Sequence, residues 1–408
     1  MVAIGLFAAS VTLGVGSSAE AQGNGGVLFG AFVNADDNQT QIEGYQELER
    51  QLGTKLPIIR EFSTWEDNLD NRLHNWIVDG DRQLMLSIKP IRDNGNKISW
   101  RSIANAKPGS RLHNEMVELA RDVRNLDGDV WIAFHHEPEA GNFEDYGNSG
   151  DFIAAWRKIH GVFEQQNADA EWVWTMTAWS FNVKDSDKRA AEKWYPGDAF
   201  VDYLGADAYN WNQCRNQRET WSELEASLRG FLEFSDAHPT KQLVLPEFGS
   251  AEGSSGAKAG WLNRAAAFLK ESDNADRFAA VLYFSSEHKG VPRCNWWADS
   301  STSALNAARN IAQDPFFSRN GQAGQAVAVV APARNVGITC TVRSTNNGDL
   351  VEWSDNGPGW RYNVRRNDKW LGATDDNRLR NEKANNGSYV VIARKAGEGR
   401  TDTTCSRV

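Results

Sequence analysis

Residues 130 to 141 read VWIAFHHEPEAG, an apolar run from Val130 to Phe134 that ends in His135, His136, Glu137 and Glu139. Ionisable groups at the end of a buried strand are costly unless they are paired or open to a cleft. A second apolar run with an acidic end, LVLPEFG at 243 to 249, sets Glu247 directly after Pro246. Two carboxyl groups facing each other across an aromatic, water-open cleft are what hydrolysis of a glycosidic bond requires. One protonates the leaving oxygen; the other attacks the anomeric carbon or activates water. The histidines as zinc ligands are the rival reading. Adjacent residues on a strand point to opposite faces, however, and no H-E-x-x-H helix is present to complete such a site. No metal and no cofactor is expected.

Strands and helices must hold those ends together. From residue 27 short apolar runs alternate with longer amphipathic ones. Strands are expected at 27–33, 56–62, 83–91, 130–134, 171–179, 201–211, 242–249 and 279–286, with helices near 39–52, 71–78, 110–124, 150–165, 222–236, 257–272 and 303–312. Eight βα units over about 290 residues predict an α/β fold of the (β/α)8 TIM-barrel type, whose catalytic groups sit at the carboxyl ends of the strands. A doubly wound open sheet is disfavoured, because the first strand ends in GAFVNA and not in a glycine-rich phosphate loop.

Polar residues at those ends are Arg60, Lys89, the 135–139 cluster, Asp207, Tyr209 and Glu247, with Trp65, Trp179, Trp211, Trp296 and Trp297 in or near the same loops. The chain has 17 tryptophans, 14 of them before residue 300, so the enrichment belongs to the first domain. Flat faces for stacking on sugar rings are one use for them and core filling is the other. Trp172 and Trp174 alternate within a strand and read as wall residues. Trp296 and Trp297 follow Cys294 in a loop, so at least one of them is expected to face the cleft. Lys89 reads as a strand-end charge.

The formal net charge of −10 argues against nucleic acid and anionic membrane as partners, since both call for clustered basic surface. Residues 1–21 read as a secretory signal: an apolar run too short to span a bilayer, then Ala19-Glu20-Ala21 as a cleavage pattern. A secreted, extracellular protein is therefore expected. Export makes the four cysteines informative. Pairing within domains, Cys214 with Cys294 and Cys340 with Cys405, is the simplest of three connectivities.

Residues 22–318 are expected to form the barrel and 319–336 a linker rich in Ala, Gly, Val and Gln. From 337 to 408 short alternating strands separated by Asn-Gly, Asn-Asn and Gly-Pro turns predict a small β-sandwich, of immunoglobulin or fibronectin-III type. Trp353, Trp360 and Trp370 there could bind sugar or fill a core.

In its motifs the chain resembles glycoside hydrolase family 26, which includes β-mannanases, within the clan of retaining (β/α)8 glycosidases. The strand-four motif F-H-E-x-N-G is matched by His135-His136-Glu137-Pro138-Glu139, and the tract WYPGDAFVDYLGADAY at 194–209 and Pro246-Glu247 are similar to other family features. The resemblance covers roughly 27–317. It implies Glu137 as acid/base and Glu247 as nucleophile, with the carboxyls about 5–5.5 Å apart for a retaining mechanism. It also implies that His136 orients the acid and that Tyr209, with Arg60 as a second candidate, steadies Glu247. The bland readings are a core tyrosine at 209 and, for Glu247, a helix cap or a lysine partner.

The departures are Glu139-Ala140 in place of Asn-Gly, GNFEDYG in place of a Trp-rich continuation, and Ala133 where an Arg is common. They touch positions that shape sugar subsites, and His135 and Glu139 are themselves expected as subsite groups. Strand alternation would point Glu137 and Glu139 to one side, so only motif register separates them. The expected function is a secreted, monomeric, endo-acting hydrolase of a polysaccharide, β-1,4-mannan first. β-1,3-xylan, mixed-linkage β-glucan, a non-catalytic polysaccharide-binding barrel and a metal-dependent hydrolase are the alternatives.

Overall fold

The computed structural model describes residues 26–318, apart from 37, 127, 216–217, 255 and 289–290, and residues 339–407, apart from 346–347, 355–360, 367–368, 375–377, 382–387 and 396–398. The expected signal at 1–21 and linker at 319–336 lie outside the described residues.

Eight parallel strands close into a barrel: β1 (Leu28–Val33), β2 (Ile58–Thr64), β3 (Gln83–Lys89), β4 (Val130–Phe134), β5 (Glu171–Thr177), β6 (Tyr203–Asn210), β7 (Gln242–Ser250) and β8 (Phe278–Ser285), with β8 hydrogen-bonded back to β1. The helices are α1 (Gln41–Leu52), α2 (Arg72–Asp79), α3 (Trp100–Ala104), α4 (Arg111–Asn125), α5 (Ser149–Gln165), α6 (Leu224–Asp236), α7 (Ala257–Leu269) and α8 (Thr302–Gln313). Local chemistry fixes their starts. Thr40 and Glu43 form a reciprocal capping box on α1, and Asn71, Ser110, Asn148 and Ser301 cap α2, α4, α5 and α8 by accepting a backbone N–H. Two elements are absent from the sequence expectations: α3, which is too short to show helical periodicity, and the hairpin of β9 (Glu287–His288) and β10 (Val291–Asn295) that follows β8.

Strand alternation sorts the side chains into two layers. Leu28, Ile58, Met85, Trp131, Ala133, Val173, Val244, Ala280 and Leu282 pack together inside the barrel. Their neighbours along the strands, such as Ile59, Leu84, Leu86, Ile132 and Leu245, pack outward under the helices.

That outer layer absorbs most of the indoles. Trp65, Trp100, Trp156, Trp172, Trp174, Trp194 and Trp261 are each no more than 2% exposed. The abundance of tryptophan thus reflects helix-to-barrel packing more than sugar platforms, and among the described residues Trp179 alone is an exposed large hydrophobe, at 49%.

One outward-facing acid stands out. Glu61 on β2 is buried against α1, where Gln41 Nε2 donates to its Oε1 at 3.2 Å, while the Tyr45 hydroxyl donates to the neighbouring Arg60 carbonyl at 2.8 Å. Burial pushes the Glu61 carboxyl up from its usual 4.5 to about 7. The folded state therefore holds a proton that the unfolded chain releases, so stability is full below pH 4.5 and falls as pH rises toward 7. Glu61→Gln is expected to raise the melting temperature at pH 8, by at most about 3 kcal/mol in stability, and to change it little at pH 4. An unchanged difference between wild type and variant across that window in calorimetry would contradict this.

The carboxyl-terminal region forms two four-stranded sheets. One has the order β15–β12–β11–β18, from Arg378–Asn381, Gly348–Trp353, Cys340–Thr345 and Ser406–Arg407. The other has the order β14–β13–β16–β17, from Lys369–Thr374, Arg361–Arg366, Tyr389–Lys395 and Gly399–Thr404. Val342, Val351 and Trp353 of the first pack with Tyr362, Val364, Tyr389 and Val391 of the second, giving an all-β sandwich core. Trp353 is therefore a core residue and no sugar platform. Trp360 and the side chain of Trp370 lie outside the described residues. Cys340 is bonded to Cys405 and Cys214 to Cys294, the pairing expected from the sequence.

Candidate active site

β2 delivers Arg60 to the barrel interior two residues beyond the inward-facing Ile58. Its guanidinium is fully buried and grips Glu247: Nη2 lies 3.0 Å and Nε 3.3 Å from Glu247 Oε1. β6 delivers Asp207 and Tyr209 by the same alternation, and the Tyr209 hydroxyl donates to Glu247 Oε2 at 2.6 Å. Glu247 thus has each carboxylate oxygen held by a different donor.

Its direction depends on a local irregularity. Val244 packs inside the barrel and Leu245 outside, so strict alternation would turn residue 247 outward. The β6–β7 register shifts between residues 205 and 208 of β6, and the β7–β8 register shifts between 243 and 244 and again between 245 and 248 of β7. The bulge turns Glu247 inward and Phe248 into the outer core. Gly205 makes the space, since a Cβ there would lie 2.9 Å from Thr175 Oγ1 and 3.1 Å from Pro246 Cγ.

The β4 end also departs from regular strand. His135 and Glu137 both have positive φ, 47° and 49°, so the chain leaves the strand at 135 and alternation does not apply beyond it. The two carboxyls expected on one side consequently part company. Glu139 is 1% exposed, and its Oε1 accepts from the Thr177 backbone N–H at 2.9 Å and hydroxyl at 2.6 Å, tying this loop to the end of β5. Burial raises its carboxyl to about 7.

Glu137 is partly accessible, and its carboxyl has no hydrogen-bonding partner among the described residues. The surrounding protein still desolvates it. That burial, followed by the charges of Glu247 and Glu139, raises it well above the usual carboxylate range, against the opposing pull of Arg60 and Lys89.

The histidines separate too. His136 Nε2 stands 3.9 Å from Glu247 Oε1, with its ring against Phe62 at 5.2 Å. Burial, with Arg60 next, lowers its pKa well below normal, so the imidazole is neutral and the contact is not an ion pair. His135 is turned away: its Nδ1 accepts from Trp100 Nε1 at 3.0 Å, and its ring abuts Tyr146 at 4.4 Å. Expected as a subsite group, His135 is a buried wall residue, because the left-handed turn at its own Cα aims it behind the strand end.

The loop tryptophans need similar correction. Trp65 is 2% exposed, donates to Glu115 and packs on Phe134. Trp296 and Trp297 are both buried, contrary to the expectation that one faces the cleft. Trp296 lies under Tyr209 (4.5 Å between ring centroids) and Trp211 (4.9 Å), beside the Cys214–Cys294 disulfide. Lys258 of α7, fully buried, fixes that loop by donating to the carbonyls of Asn295 and Trp297 and to the Ser300 hydroxyl. Trp211 is half-buried with the Arg215 guanidinium 4.0 Å above its ring, and exposed Trp179 has Arg189 at 4.3 Å.

Two features had no assigned role at the sequence level. Asp207 is 4% exposed with neither carboxyl oxygen hydrogen-bonded among the described residues, and burial followed by the Glu247 charge raises it well above its usual range, favouring its protonated form. The D-x-Y spacing with Tyr209, which puts both on one strand face, was the available signal. Phe32, Phe62 and Phe284, from the ends of β1, β2 and β8, form a half-open aromatic patch with centroids 4.9–6.4 Å apart beside His136. Among the described residues no group of three His, Cys, Asp or Glu is arranged to hold a metal ion.

The arrangement can thus keep one carboxylate fixed between donors and a second carboxyl protonated and accessible, beside an apolar patch. The family model for glycosyl hydrolase family 26 matches residues 100–240. Endoglucanase H of Acetivibrio thermocellus is 26% identical over 299 residues, 70% of this chain; the match spans 30% of that relative's length. A modular endo-β-1,4-mannanase from Cellulomonas fimi shares the fold with a TM-score of 0.51 at 18% identity, over 94% of each chain.

Proposed function

We propose that this chain, a relative of glycosyl hydrolase family 26, is a secreted endo-acting hydrolase of a β-linked polysaccharide, with β-1,4-mannan as its first candidate substrate. Glu137 acts as acid/base and Glu247 as nucleophile in a double displacement. The observation that carries this reading is the contrast between the two carboxyls. Glu247 is held by Arg60 and Tyr209 in one orientation, as attack on an anomeric carbon requires. Glu137 is unpartnered, partly open and biased toward its protonated form, as a general acid must be.

In the first step Glu137 gives its proton to the departing glycosidic oxygen while Glu247 bonds to the anomeric carbon. In the second Glu137, now a base, takes a proton from the water that releases the sugar. Neutral His136 borders the Glu247 carboxylate. The half-open Phe32–Phe62–Phe284 patch offers a surface for an apolar sugar face. The two disulfides suit an exported protein.

A non-catalytic binding barrel would be favoured by ion pairing that occupies both acids, and only Glu247 is so paired. The test is a panel of purified polysaccharides, with mannan, glucomannan, β-1,3-xylan and mixed-linkage β-glucan as arms, read by reducing ends and by product anomeric configuration. Release of internal fragments with retained configuration is expected, from mannan above the others. Inverted product would refute the double displacement, and no hydrolysis in any arm would refute the enzyme.

A further inference from the structure

A cavity of about 570 Å³ opens on the carboxyl-terminal face of the barrel, outside the site described above, between the loop after β6 and the start of α7. It is lined by Asn212, Trp221, Ser254, Gly256, Ala257 and Arg264, with Gly260 behind the guanidinium. Its volume falls within the roughly 300–1,000 Å³ of small-molecule pockets.

The walls are preset. One carboxylate, Glu223, accepts from Trp221 Nε1 at 2.7 Å and receives both Nε and Nη2 of Arg264 at 3.0 and 2.9 Å. Indole and guanidinium are thereby fixed relative to each other. Gly253, at φ +66°, brings the loop after β7 against the indole: a Cβ there would lie 2.9 Å from Trp221 Cζ3 and 3.1 Å from Asn212 Nδ2.

The lining chemistry narrows the ligand. Glu223 pairs bidentately with Arg264 and balances its charge, which disfavours an anion as the preferred occupant. What remains is an aromatic face, a short apolar wall from Ala257 and the glycines, and two side chains, the Asn212 carboxamide and the Ser254 hydroxyl, with no hydrogen-bonding partner among the described residues. A neutral ring with hydroxyls on its rim and C–H bonds on its face matches that set. The position adds to this, because Asn212 follows Trp211, whose ring touches Tyr209, the donor to Glu247.

We propose that this cavity is a second sugar site, which takes one neutral pyranose unit of a polysaccharide on Trp221 and holds the chain near the catalytic cleft. Naming a polysaccharide as the ligand rests on the hydrolase reading above.

The test is affinity electrophoresis of the full chain in gels containing soluble glucomannan. Glu247→Ala is used as background so that the polymer survives, with and without Ala257→Phe, which partly fills the cavity beside Trp221 and deletes no side-chain hydrogen bond. Ala257→Phe alone is assayed on mannotetraose. The filled variant is expected to bind glucomannan at least fivefold more weakly yet to cleave mannotetraose at the wild-type kcat/KM, which also shows that it folds. Unchanged retardation, or equal losses on polymer and tetraose, would overturn the site. If the unsubstituted protein cleaves no β-glycan while the retardation difference persists, the hydrolase reading fails and the sugar site stands. Cleavage with no retardation difference overturns the sugar site and leaves the hydrolase reading standing.

Discussion

Glu247→Ala is expected to abolish hydrolysis, lowering kcat by on the order of 10⁴- to 10⁶-fold, the scale seen when a covalent nucleophile is removed. The geometry says why so much rests on one side chain. Arg60 and Tyr209 both spend their hydrogen bonds on this carboxylate, and a β7 bulge exists to aim it inward. The substitution also leaves the fully buried Arg60 without its partner, and breaking a buried pair costs about 3–5 kcal/mol. Stability must therefore be measured beside activity. Glu247→Gln keeps the volume and a hydrogen-bond acceptor, so it is expected to retain more stability while remaining inactive. Near wild-type turnover in either variant would end the assignment.

The second large effect concerns Glu137. Glu137→Ala is expected to lower kcat on polysaccharide by about 10²- to 10⁴-fold, the usual contribution of general acid catalysis. With an aryl glycoside whose leaving group departs without a proton, the first step should suffer far less. The pH dependence follows from the direction of its shift. Burial and the Glu247 charge raise the carboxyl of Glu137, so the protonated form persists above the ordinary carboxylate range. Activity is then lost as pH rises through that raised value, and Glu137→Ala should remove this basic limb from the kcat/KM profile. An intact basic limb in the variant would assign the limb, and the acid role, to another group. Asp207 and Glu139, both raised mainly by burial, would be the next to substitute.

Much of this was legible in the sequence because period-two and helical patterns alternate cleanly along the barrel strands and helices. Strand ends then gather Arg60, Lys89, the 135–139 cluster, Asp207, Tyr209 and Glu247, and only the register of the family motif singles out Glu137. What misled was any step that extended a regular pattern past the point where the backbone stays regular. Alternation could not tell Glu137 from Glu139, because the left-handed residues at 135 and 137 end the strand before either side chain is placed. Counting tryptophans near loops pointed to Trp65, Trp296 and Trp297 as sugar platforms. Burial follows from three-dimensional packing that sequence position does not encode, and all three are core or sub-cleft residues. Glu61 escaped notice for the related reason that an acid in an apolar strand can face a neighbouring helix as well as the barrel mouth.

The central claim is that Glu247 forms a bond to the substrate's anomeric carbon. It is tested most directly by incubating the enzyme with a 2-deoxy-2-fluoro glycosyl fluoride of the sugar it hydrolyses, then digesting and sequencing by mass spectrometry. The account predicts time-dependent inactivation with a single fluoroglycosyl adduct on the peptide containing residues 242–250, carried by Glu247. A label carried instead by Glu137, Glu139 or Asp207 would contradict it.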